Sequence, residues 1–344
     1  MRRIFSIKEI SFFLFLLIML MALTGCFLNP GKDNSFNKDG GAFSGEVHIS
    51  SSYLESKIRN ALGKPRGPVT REDMESLEKL DLSGLHRGGW SFRSKEAFNL
   101  TGLEHAVNLK ELDLSSNNEL SDLSSLEKLV SLERINLSQC GIEDISPLES
   151  LSNLNYLDLH ANKVRELSPL KELKSLEYLD LSSNSIEDVS SLVNLTSLKK
   201  LDLSYNNIKD AAPLGKLEKL EELSLYWNKE IENIPALGQL TALSHLNLSG
   251  TSPEDFDFLK NLTNLKVLNL YGTMISDLTI LTGLDQLSGL FIGFCRVTDL
   301  SPLLQLPDLE TLNFKNNPVD LEDPLVQEQI KILEEKLLNL WYDE

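Results

Sequence analysis

Leucines recur along most of this chain at a nearly constant interval. Ten of them follow one another at spacings of 22 or 23 residues: Leu109, Leu132, Leu154, Leu176, Leu198, Leu220, Leu243, Leu265, Leu287 and Leu309. Each is followed by an aliphatic residue three positions later and by another apolar residue five positions later. An interval this regular indicates an internal repeat rather than a domain with one compact core.

Each unit combines two hydrophobic periods. In the unit that begins at Leu176, Leu179 and Leu181 alternate with polar residues, which predicts a short strand with one apolar face. From Ile186 to Leu195 the apolar residues follow at intervals of three, which suits 3-10 or extended turns rather than long helices. The pattern therefore predicts a coil in which every turn adds one strand to a parallel sheet.

This pattern resembles the leucine-rich repeat, in the 22-residue class found in internalins, and the resemblance covers about residues 77–320. It implies an α/β repeat fold: a curved leucine-rich-repeat solenoid with one parallel β-sheet on the concave face, 3-10 or extended segments on the convex side, and helical caps at both ends. A degenerate first unit near Leu77 is separated from Leu109 by an insertion containing Trp90, which is either a lid on the first turn or part of a site.

A polar or small residue stands eight positions after the first leucine of each unit. In six units it is an asparagine: Asn117, Asn162, Asn184, Asn206, Asn228 and Asn317. In the family these side chains hydrogen-bond to neighbouring backbone as a ladder, and Cys140, Thr251, Thr273 and Cys295 replace them, so we expect all ten to be structural. Cys140 and Cys295 are seven turns apart, more than about 30 Å, which predicts two free buried thiols.

Both ends of the repeat carry helical patterns. Between Leu54 and Leu62 the apolar residues are four positions apart, and Thr70–Asp73 has the spacing of a helix-capping box. Residues 51–76 are therefore predicted to form an N-terminal helical cap that resembles the cap of internalins. Residues 321–344, where apolar residues lie among Glu and Lys, are predicted to form a C-terminal capping helix.

The first 25 residues have the layout of an export signal. A basic start at Arg2, Arg3 and Lys8 precedes an apolar stretch, Phe12–Leu23, that is shorter than the roughly 18–20 residues needed to span a bilayer. The stretch ends in Leu23-Thr24-Gly25-Cys26, which resembles the lipobox of bacterial lipoproteins. The resemblance implies a signal peptide over residues 1–25 and a diacylglycerol group on the thiol of Cys26. The alternative is a plain secretory signal or short membrane anchor in which Cys26 has no role.

Residues 26–50 are rich in Gly, Asn, Asp and Ser and show no sustained hydrophobic period, so we predict a flexible tether after the lipidated cysteine. The formal charge of the chain is −18, and because residues 1–25 carry +2, the remainder carries −20. So acidic a surface repels nucleic acid and anionic lipid, and we expect no direct binding to either. The charge either keeps an exported protein soluble or contributes to the choice of partner.

Residues two, four and six positions after the first leucine of each unit point away from the core, onto the predicted concave face. The Asp/Asn column and the Ser column of this face follow the family consensus, but its aromatic residues do not. We therefore predict a partner-binding surface centred near residues 156–227, made by these rings and two histidines: Tyr156, His160, Tyr178, Tyr205, Tyr226, Trp227, His245, Tyr271, Phe291 and Phe294. The alternative is that the rings only shield neighbouring strands and bind nothing.

No catalytic motif is recognisable in the sequence: it has no P-loop, no GxSxG, no HExxH and no CxxC. His160 and His245 are four turns apart, roughly 19 Å, too far to share a metal. We predict no enzyme activity, no cofactor and no metal site. Asp158, Asp180 and Asp202 form a file of carboxylates about 4.8 Å apart. Their pKa values are raised by this proximity, or they attract a cation such as Ca²⁺, or they are an ordinary solvated column.

Resemblance to internalins implies protein binding at the bacterial cell surface, in adhesion, host contact or organisation of the envelope. The alternative is recognition of a glycan or wall polymer, because rings flanked by carboxylates also suit sugars. A hydrolase comes third, since nothing predicts a cleft around the carboxylates. We expect a monomer, held by a lipid anchor at the bacterial membrane and facing outside the cytoplasm.

Overall fold

Twelve short strands form one parallel sheet, in which they lie in chain order. The computed structural model describes residues 45–84, 99–118, 120, 122–253 and 255–343. The strands are β1 Lys79–Asp81, β2 Glu111–Asp113, β3 Arg134–Asn136, β4 Tyr156–Asp158, β5 Tyr178–Asp180, β6 Lys200–Asp202, β7 Glu222–Ser224, β8 His245–Asn247, β9 Val267–Asn269, β10 Gly289–Phe291, β11 Thr311–Asn313 and β12 Asn339–Trp341. The predicted solenoid with a single parallel sheet is confirmed.

One register holds along the whole sheet. The central residue of each strand pairs with the central residue of the next, as Leu112 does with Ile135 and Ile135 with Leu157. From β1 to β11 these central residues are buried in a continuous apolar core, and the half-buried Leu340 of β12 packs against it. Because side chains alternate between the two faces of a strand, the flanking residues of every strand lie on the outer face in straight columns.

Short 3-10 helices return the chain from one strand to the next. The described residues contain ten of them: Leu103–His105, Ser124–Leu126, Ser146–Leu148, Ser168–Leu170, Ser190–Asn194, Ala212–Lys216, Ile234–Gln239, Asp257–Asn261, Thr279–Leu281 and Ser301–Gln305. Several begin just after an aspartate whose side chain accepts the first N–H, as Asp144 does from Ser146 at 2.8 Å. Turns of this length confirm the prediction made from the spacing of three.

The asparagine ladder joins each turn to its neighbour. The Asn206 amide nitrogen donates to the carbonyl oxygens of Leu181 (2.9 Å) and Leu203 (3.0 Å), and its side-chain oxygen accepts from the Ile186 N–H at 3.0 Å. This confirms the predicted structural role of the column. Where Thr251 replaces asparagine, the side chain bonds within its own turn instead of to a neighbouring one. Its hydroxyl donates to the carbonyl oxygen of Leu248 at 2.6 Å.

The two cysteines of the same column are buried and free, as predicted. The Cys140 thiol donates to the carbonyl oxygen of Leu114 at 3.0 Å, and the Cys295 thiol to that of Leu270 at 3.1 Å. Burial raises the pKa of the Cys140 thiol to about 11 and raises the pKa of Cys295. Neither thiol is therefore placed for chemistry at neutral pH.

Two helices cover the first turn of the solenoid. Helix α1, Ser52–Ala61, is capped by the Ser51 hydroxyl, which accepts from the Leu54 N–H. Helix α2, Arg71–Glu75, begins at a capping box in which Thr70 and Asp73 bond to each other's backbone N–H. Val47 is buried and its N–H donates to Val69 at 2.8 Å. The folded part of the chain therefore already includes Val47, so the predicted tether, residues 26–50, ends before residue 50.

The C-terminal cap is a helix followed by a strand. Helix α3, Pro324–Lys336, is capped by the Asp323 side chain, and the chain then forms β12, which pairs with β11. The prediction that a single capping helix would extend to residue 344 is wrong beyond Lys336. An extra strand satisfies the N–H and C=O groups at the edge of β11, and Leu340 extends the column of Leu312.

The predicted signal peptide, Cys26 and the insertion with Trp90 lie outside the described residues. Within the part of the chain that is described, no helix is both long enough and apolar enough to cross a membrane.

Candidate binding surface

The strands hold two columns of outward side chains, two and four residues after the first leucine of each unit. The next two columns, six and seven residues after that leucine, lie just past the strands, and we call them the rim. Seven predicted binding residues belong to the face and its first rim column: Tyr156, His160, Tyr178, Tyr226, His245, Tyr271 and Phe291. Tyr205, Trp227 and Phe294 stand in the second rim column.

Tyr156 and Tyr178 form a stack on the face. Their ring centroids are 4.3 Å apart and their planes differ by 9°. The Arg134 guanidinium lies 4.0 Å from the Tyr156 ring centroid, and the Lys200 ammonium lies 5.9 Å from that of Tyr178. Since Arg134 and Lys200 come from the outer neighbouring strands, each ring stacks on the other with one face and has a cation near its second face. Burial raises the pKa of both hydroxyls.

Tyr205, Tyr226 and Trp227 form a cluster on the rim. Their ring centroids are 4.7 Å (Tyr205–Tyr226), 5.9 Å (Tyr226–Trp227) and 6.5 Å (Tyr205–Trp227) apart, and the Tyr205 hydroxyl donates to that of Tyr226 at 3.2 Å. The Lys229 ammonium lies 4.3 Å from the Trp227 ring centroid. Tyr205 and Trp227 nevertheless remain 48% and 44% exposed, so this cluster offers ring surface to solvent.

A second rim cluster lies further along the solenoid. The rings of Tyr271 and Phe294 are 5.1 Å apart at 52°, and Phe294 is 53% exposed. Met274, which the repeat pattern does not indicate as a binding residue, is 46% exposed and belongs to the same turn as Tyr271. An exposed methionine adds apolar surface to this turn.

The backbone of the second rim column is left-handed throughout. Tyr205, Trp227 and Phe294 have φ angles of 54°, 63° and 56°. A left-handed conformation costs a residue with a side chain roughly 1–2 kcal/mol relative to glycine. In the other turns this column holds small or polar residues: Ser116, Gln139, Ala161, Ser183, Gly250, Gly272 and Asn316. The fold therefore does not require rings here, which argues against a purely shielding role.

The two predicted histidines make local hydrogen bonds. The His160 Nδ1 is 2.7 Å from the Ser182 hydroxyl, and the His245 Nδ1 is 2.9 Å from the Ser244 hydroxyl. Phe291 is half-buried and lines a shallow depression on the face together with His245 and Val267. Among the described residues no group of three or more His, Cys, Asp or Glu side chains is placed to hold a metal ion.

The carboxylate file is half-buried rather than fully solvated. Burial raises the pKa of Asp158 to about 6, and the neighbouring Asp180 adds to this, although the Asp158 carboxylate accepts the His160 N–H at 2.9 Å. Burial likewise raises the pKa of Asp202. For Asp158 and Asp202 the structure therefore favours the interpretation of a raised pKa, with burial rather than mutual proximity as its main cause.

The structure places the ten predicted residues in one continuous sheet and its rim but divides them by exposure. The stacked Tyr156 and Tyr178 are half-buried, as is Tyr226, whereas the rim rings of Tyr205, Trp227, Tyr271 and Phe294 are exposed. The exposed rings thus begin at Tyr205, inside the predicted centre near residues 156–227, and continue beyond it to Phe294. Glycines at 250 and 272 in the rim column are the signal in the sequence that would have indicated this.

Comparison with known families and structures agrees with this architecture. A family model described as a leucine-rich repeat region matches residues 116–324, and one described as a leucine-rich repeat matches residues 105–123. No curated protein sequence gives a significant match.

Among solved structures, the chain is similar to an internalin (InlF) from Listeria monocytogenes str. 4b F2365, with 30% identity, coverage of 85% of this chain and 82% of that one, and a TM-score of 0.76. It is also similar to a leucine-rich-repeat protein from Leptospira interrogans, with 25% identity, 79% coverage of each chain and a TM-score of 0.65. Internalin C2 from the same Listeria strain has 25% identity, covers 76% of this chain and 92% of its own, and gives a TM-score of 0.50.

Proposed function

Since this chain belongs to the leucine-rich-repeat family and is internalin-like, we propose that it is a surface lipoprotein that binds another protein through the rim rings of its sheet. In this proposal the solenoid is a non-enzymatic binding scaffold. A lipid on Cys26 holds it at the bacterial membrane, with the folded part outside the cytoplasm. Its use is adhesion, host contact or organisation of the envelope.

The observation that carries the proposal is the placement of Tyr205, Trp227 and Phe294. Each is 44–53% exposed, and each occupies a left-handed backbone position that favours glycine. Tyrosine and tryptophan on a rigid surface are frequent anchors of protein interfaces, because they bury much apolar area while losing little side-chain entropy. A side chain that strains the backbone and is left in water is explained best by a use at that surface.

The half-buried stack of Tyr156 and Tyr178 has a different role in this proposal. A sugar that stacks on an aromatic residue needs an open ring face, and each of these rings gives one face to the other and has Arg134 or Lys200 near its second face. The stack therefore supports the face as a rigid floor, and contact with a partner falls to the rim. This favours a protein partner over the alternative of a glycan or wall polymer bound by stacked tyrosines.

The test is a pull-down with the full chain. Whole cells are cross-linked and dissolved in detergent, and the proteins captured by the chain are identified. We expect the triple variant Tyr205→Ala, Trp227→Ala and Phe294→Ala to lose the cross-linked protein while its thermal stability is unchanged or increased. The matched control replaces three residues of the same left-handed column that are not aromatic: Ser116→Ala, Gln139→Ala and Ser183→Ala.

The control variant should capture the partner as the wild type does. Capture by the triple variant at wild-type level would contradict the proposal. A glycan array probed in parallel covers the alternative: binding there that depends on the same three rings would replace the protein partner by a wall polymer.

The lipid anchor is tested separately. Each lipid methylene buried in the membrane contributes roughly 0.8 kcal/mol, so two or three acyl chains on Cys26 would hold the protein stably. We expect labelling by a fatty-acid analogue and sedimentation with membranes, both lost in Cys26→Ala and both kept in Cys295→Ala. Unchanged labelling of Cys26→Ala would show that this cysteine is not the attachment site.

A further inference from the structure

Two glycines separate the two rim clusters. Gly250 and Gly272, both with φ of 70°, occupy the left-handed column between Trp227 and Phe294. The Gly250 N–H donates to Tyr271 at 2.9 Å, and the Gly272 N–H donates to Gly293 at 2.8 Å, so the column continues the ladder of the sheet. At about 4.8 Å per turn, the backbones of Trp227 and Phe294 are roughly 14 Å apart.

Trp227 fills the space above Gly250 and leaves the space above Gly272 open. A Cβ atom on Gly250 would lie 2.8 Å from Cε3 of Trp227, so the indole ring rests on that glycine. A Cβ atom on Gly272 would meet nothing nearer than the Gly250 nitrogen, at 4.0 Å. Tyr271 leans away from this space, because a Cβ atom on Gly293 would lie 2.9 Å from its ring.

The result is a groove, which we call the glycine groove. Its floor is the backbone of Gly272, one wall is Trp227, and the other wall is the pair of Tyr271 and Phe294. The two walls rest on turns that are two apart, roughly 10 Å. An aromatic ring in van der Waals contact on both sides needs about 7–8 Å, which is less than this spacing of the turns.

The charge around the groove differs from that of the chain as a whole. We consider three columns of side chains between the turn of β6 and the turn of β11. They are the two rim columns, six and seven residues after the first leucine of each unit, and the column nine residues after it. They contain Lys229, Arg296 and Lys315 and no acidic residue, in a chain with a formal charge of −18, and the next turn adds Asp343, whose carboxylate accepts the Asn316 N–H at 2.6 Å. In the described residues none of these three cations forms an ion pair with a carboxylate (Lys229 lies over Trp227).

We propose that the glycine groove binds an extended acidic segment of the partner, one aromatic side chain of which inserts over Gly272. This deepens the proposed function and rests on it, because the segment belongs to the bound protein. The inserted ring contacts Trp227 on one side and Phe294 on the other, and the acidic residues beside it face Lys229, Arg296 and Lys315. A basic side chain would be attracted by the rings but repelled by the three cations.

The test fills the groove at a small cost in backbone strain, which the control variant shares. Gly272→Asn suits this purpose, because asparagine tolerates left-handed backbone, Asn316 already occupies the same column with φ of 57°, and a Cβ atom on Gly272 meets open space. Ala161→Asn is the matched control, since it places the same side chain at a left-handed position of the same column, away from the groove.

The probes are three synthetic decapeptides, measured against the full chain in detergent by fluorescence anisotropy. One has a central tryptophan among aspartates and glutamates, one has the same tryptophan among lysines, and one has a central alanine among the acidic residues. We expect the first to bind at least about tenfold more tightly than either other peptide. Its affinity should fall roughly tenfold in Gly272→Asn, stay unchanged in Ala161→Asn, and weaken with added salt.

Several results would overturn the proposal: equal or tighter binding of the basic peptide, an unchanged affinity in Gly272→Asn, or no binding of the acidic peptide at about 1 mM. The cellular pull-down separates this failure from failure of the proposed function. If Gly272→Asn still captures the partner while the triple ring variant does not, the groove is wrong and the binding surface stands. If the triple ring variant also captures it, both proposals are wrong.

Discussion

Tyr156 and Tyr178 occupy directly paired positions on β4 and β5, and their rings lie face to face with centroids 4.3 Å apart. The stack continues on both sides into a cation, Arg134 beyond Tyr156 and Lys200 beyond Tyr178. A run of four side chains across four strands holds the face together in the direction along which the turns are stacked. The contribution of this run is therefore to stability.

Removing one ring of the stack should destabilise the fold without affecting capture of a partner. We expect Tyr178→Ala to lower the free energy of unfolding by about 1–2 kcal/mol, because the Tyr156 ring loses its neighbour, whereas Tyr178→Phe keeps the ring contact and loses only a few tenths. Denaturant unfolding measures both. A Tyr178→Ala protein of wild-type stability that no longer captured its partner would place the tyrosine in the interface instead.

The asparagine ladder offers a matched pair of neighbouring residues. Asn206→Ala removes the acceptor of the Ile186 N–H and the donor to the Leu181 carbonyl, and it leaves both groups buried without a partner. We expect a loss of about 2–4 kcal/mol in the free energy of unfolding. Asn207→Ala, at the exposed next position, should change it by less than about 0.5 kcal/mol. Equal effects of the two substitutions would argue against the ladder.

Asp158 should make stability depend on pH in the direction opposite to most carboxylates. Burial raises the pKa of Asp158 in the folded protein to about 6, from an ordinary 3.8, so between these values the folded state binds a proton that the unfolded state has released. Stability therefore falls as pH rises from about 4 to about 6 and stays lower above it. Asn136 accepts the corresponding N–H in the preceding turn, so asparagine fits this column.

We expect Asp158→Asn to stabilise the protein at about pH 7.5 by about 1–2 kcal/mol, allowing for partial exposure, and to have little effect near pH 4. Asp277→Asn is the contrast, because the Thr279 hydroxyl and N–H hold the pKa of Asp277 below its usual range. That substitution should destabilise near neutral pH. Urea unfolding at several pH values measures both, and a loss of stability in Asp158→Asn near neutral pH would contradict the assignment.

The buried thiols should not react in the folded protein. Burial raises the pKa of Cys140 to about 11 and also raises that of Cys295, so little thiolate is present at about pH 8 and the sulfurs are not accessible. We expect no alkylation of either by iodoacetamide in buffer and complete alkylation of both in urea, measured by mass spectrometry of tryptic peptides. Rapid labelling of Cys140 in the native protein would mean that its turn opens.

Removal of the C-terminal strand should promote self-association through the edge of β11. Truncation after Lys336 removes β12 and exposes the N–H and C=O groups of β11 to pairing with another chain. We expect self-association in size-exclusion chromatography and a lower unfolding midpoint. Leu338→Glu changes a residue that is 74% exposed and should leave both unaffected. A truncated protein that remained a stable monomer would show that α3 alone caps the end.

The repeating parts of this molecule could be predicted because periodicity reports burial directly. The strand register, the 3-10 turns, the asparagine ladder and the free thiols all follow from columns of like residues. The C-terminal strand could not be predicted, because Leu337 and Leu340 fit an amphipathic helix as well as they fit an edge strand. The choice between these depends on the unpaired edge of β11, which lies close in space and not in sequence.

The binding surface could be predicted only in part. The spacing placed Tyr156 and Trp227 on the outer side of the sheet, but not the covering of the first ring by Arg134 or the exposure of the second. The exposure of each ring depends on the rotamer of its side chain and on the side chains of the neighbouring turns. The indole ring of Trp227 can lie over the next turn only because that turn has a glycine, Gly250, at the facing position. Neither residue alone indicates this contact in the sequence.

The shared register of the strand pairs has a consequence for the spacing of the surface. Because each turn advances the coil by the same increment, the separation of two side chains in one column is a whole number of turns. Inserting one more copy of residues 243–264 would move Phe294 about 4.8 Å further from Trp227. The conformation of the turn that carries each ring would not change. The rim is thus a molecular ruler, and the length of segment that fits between two rings can be changed by adding or deleting turns.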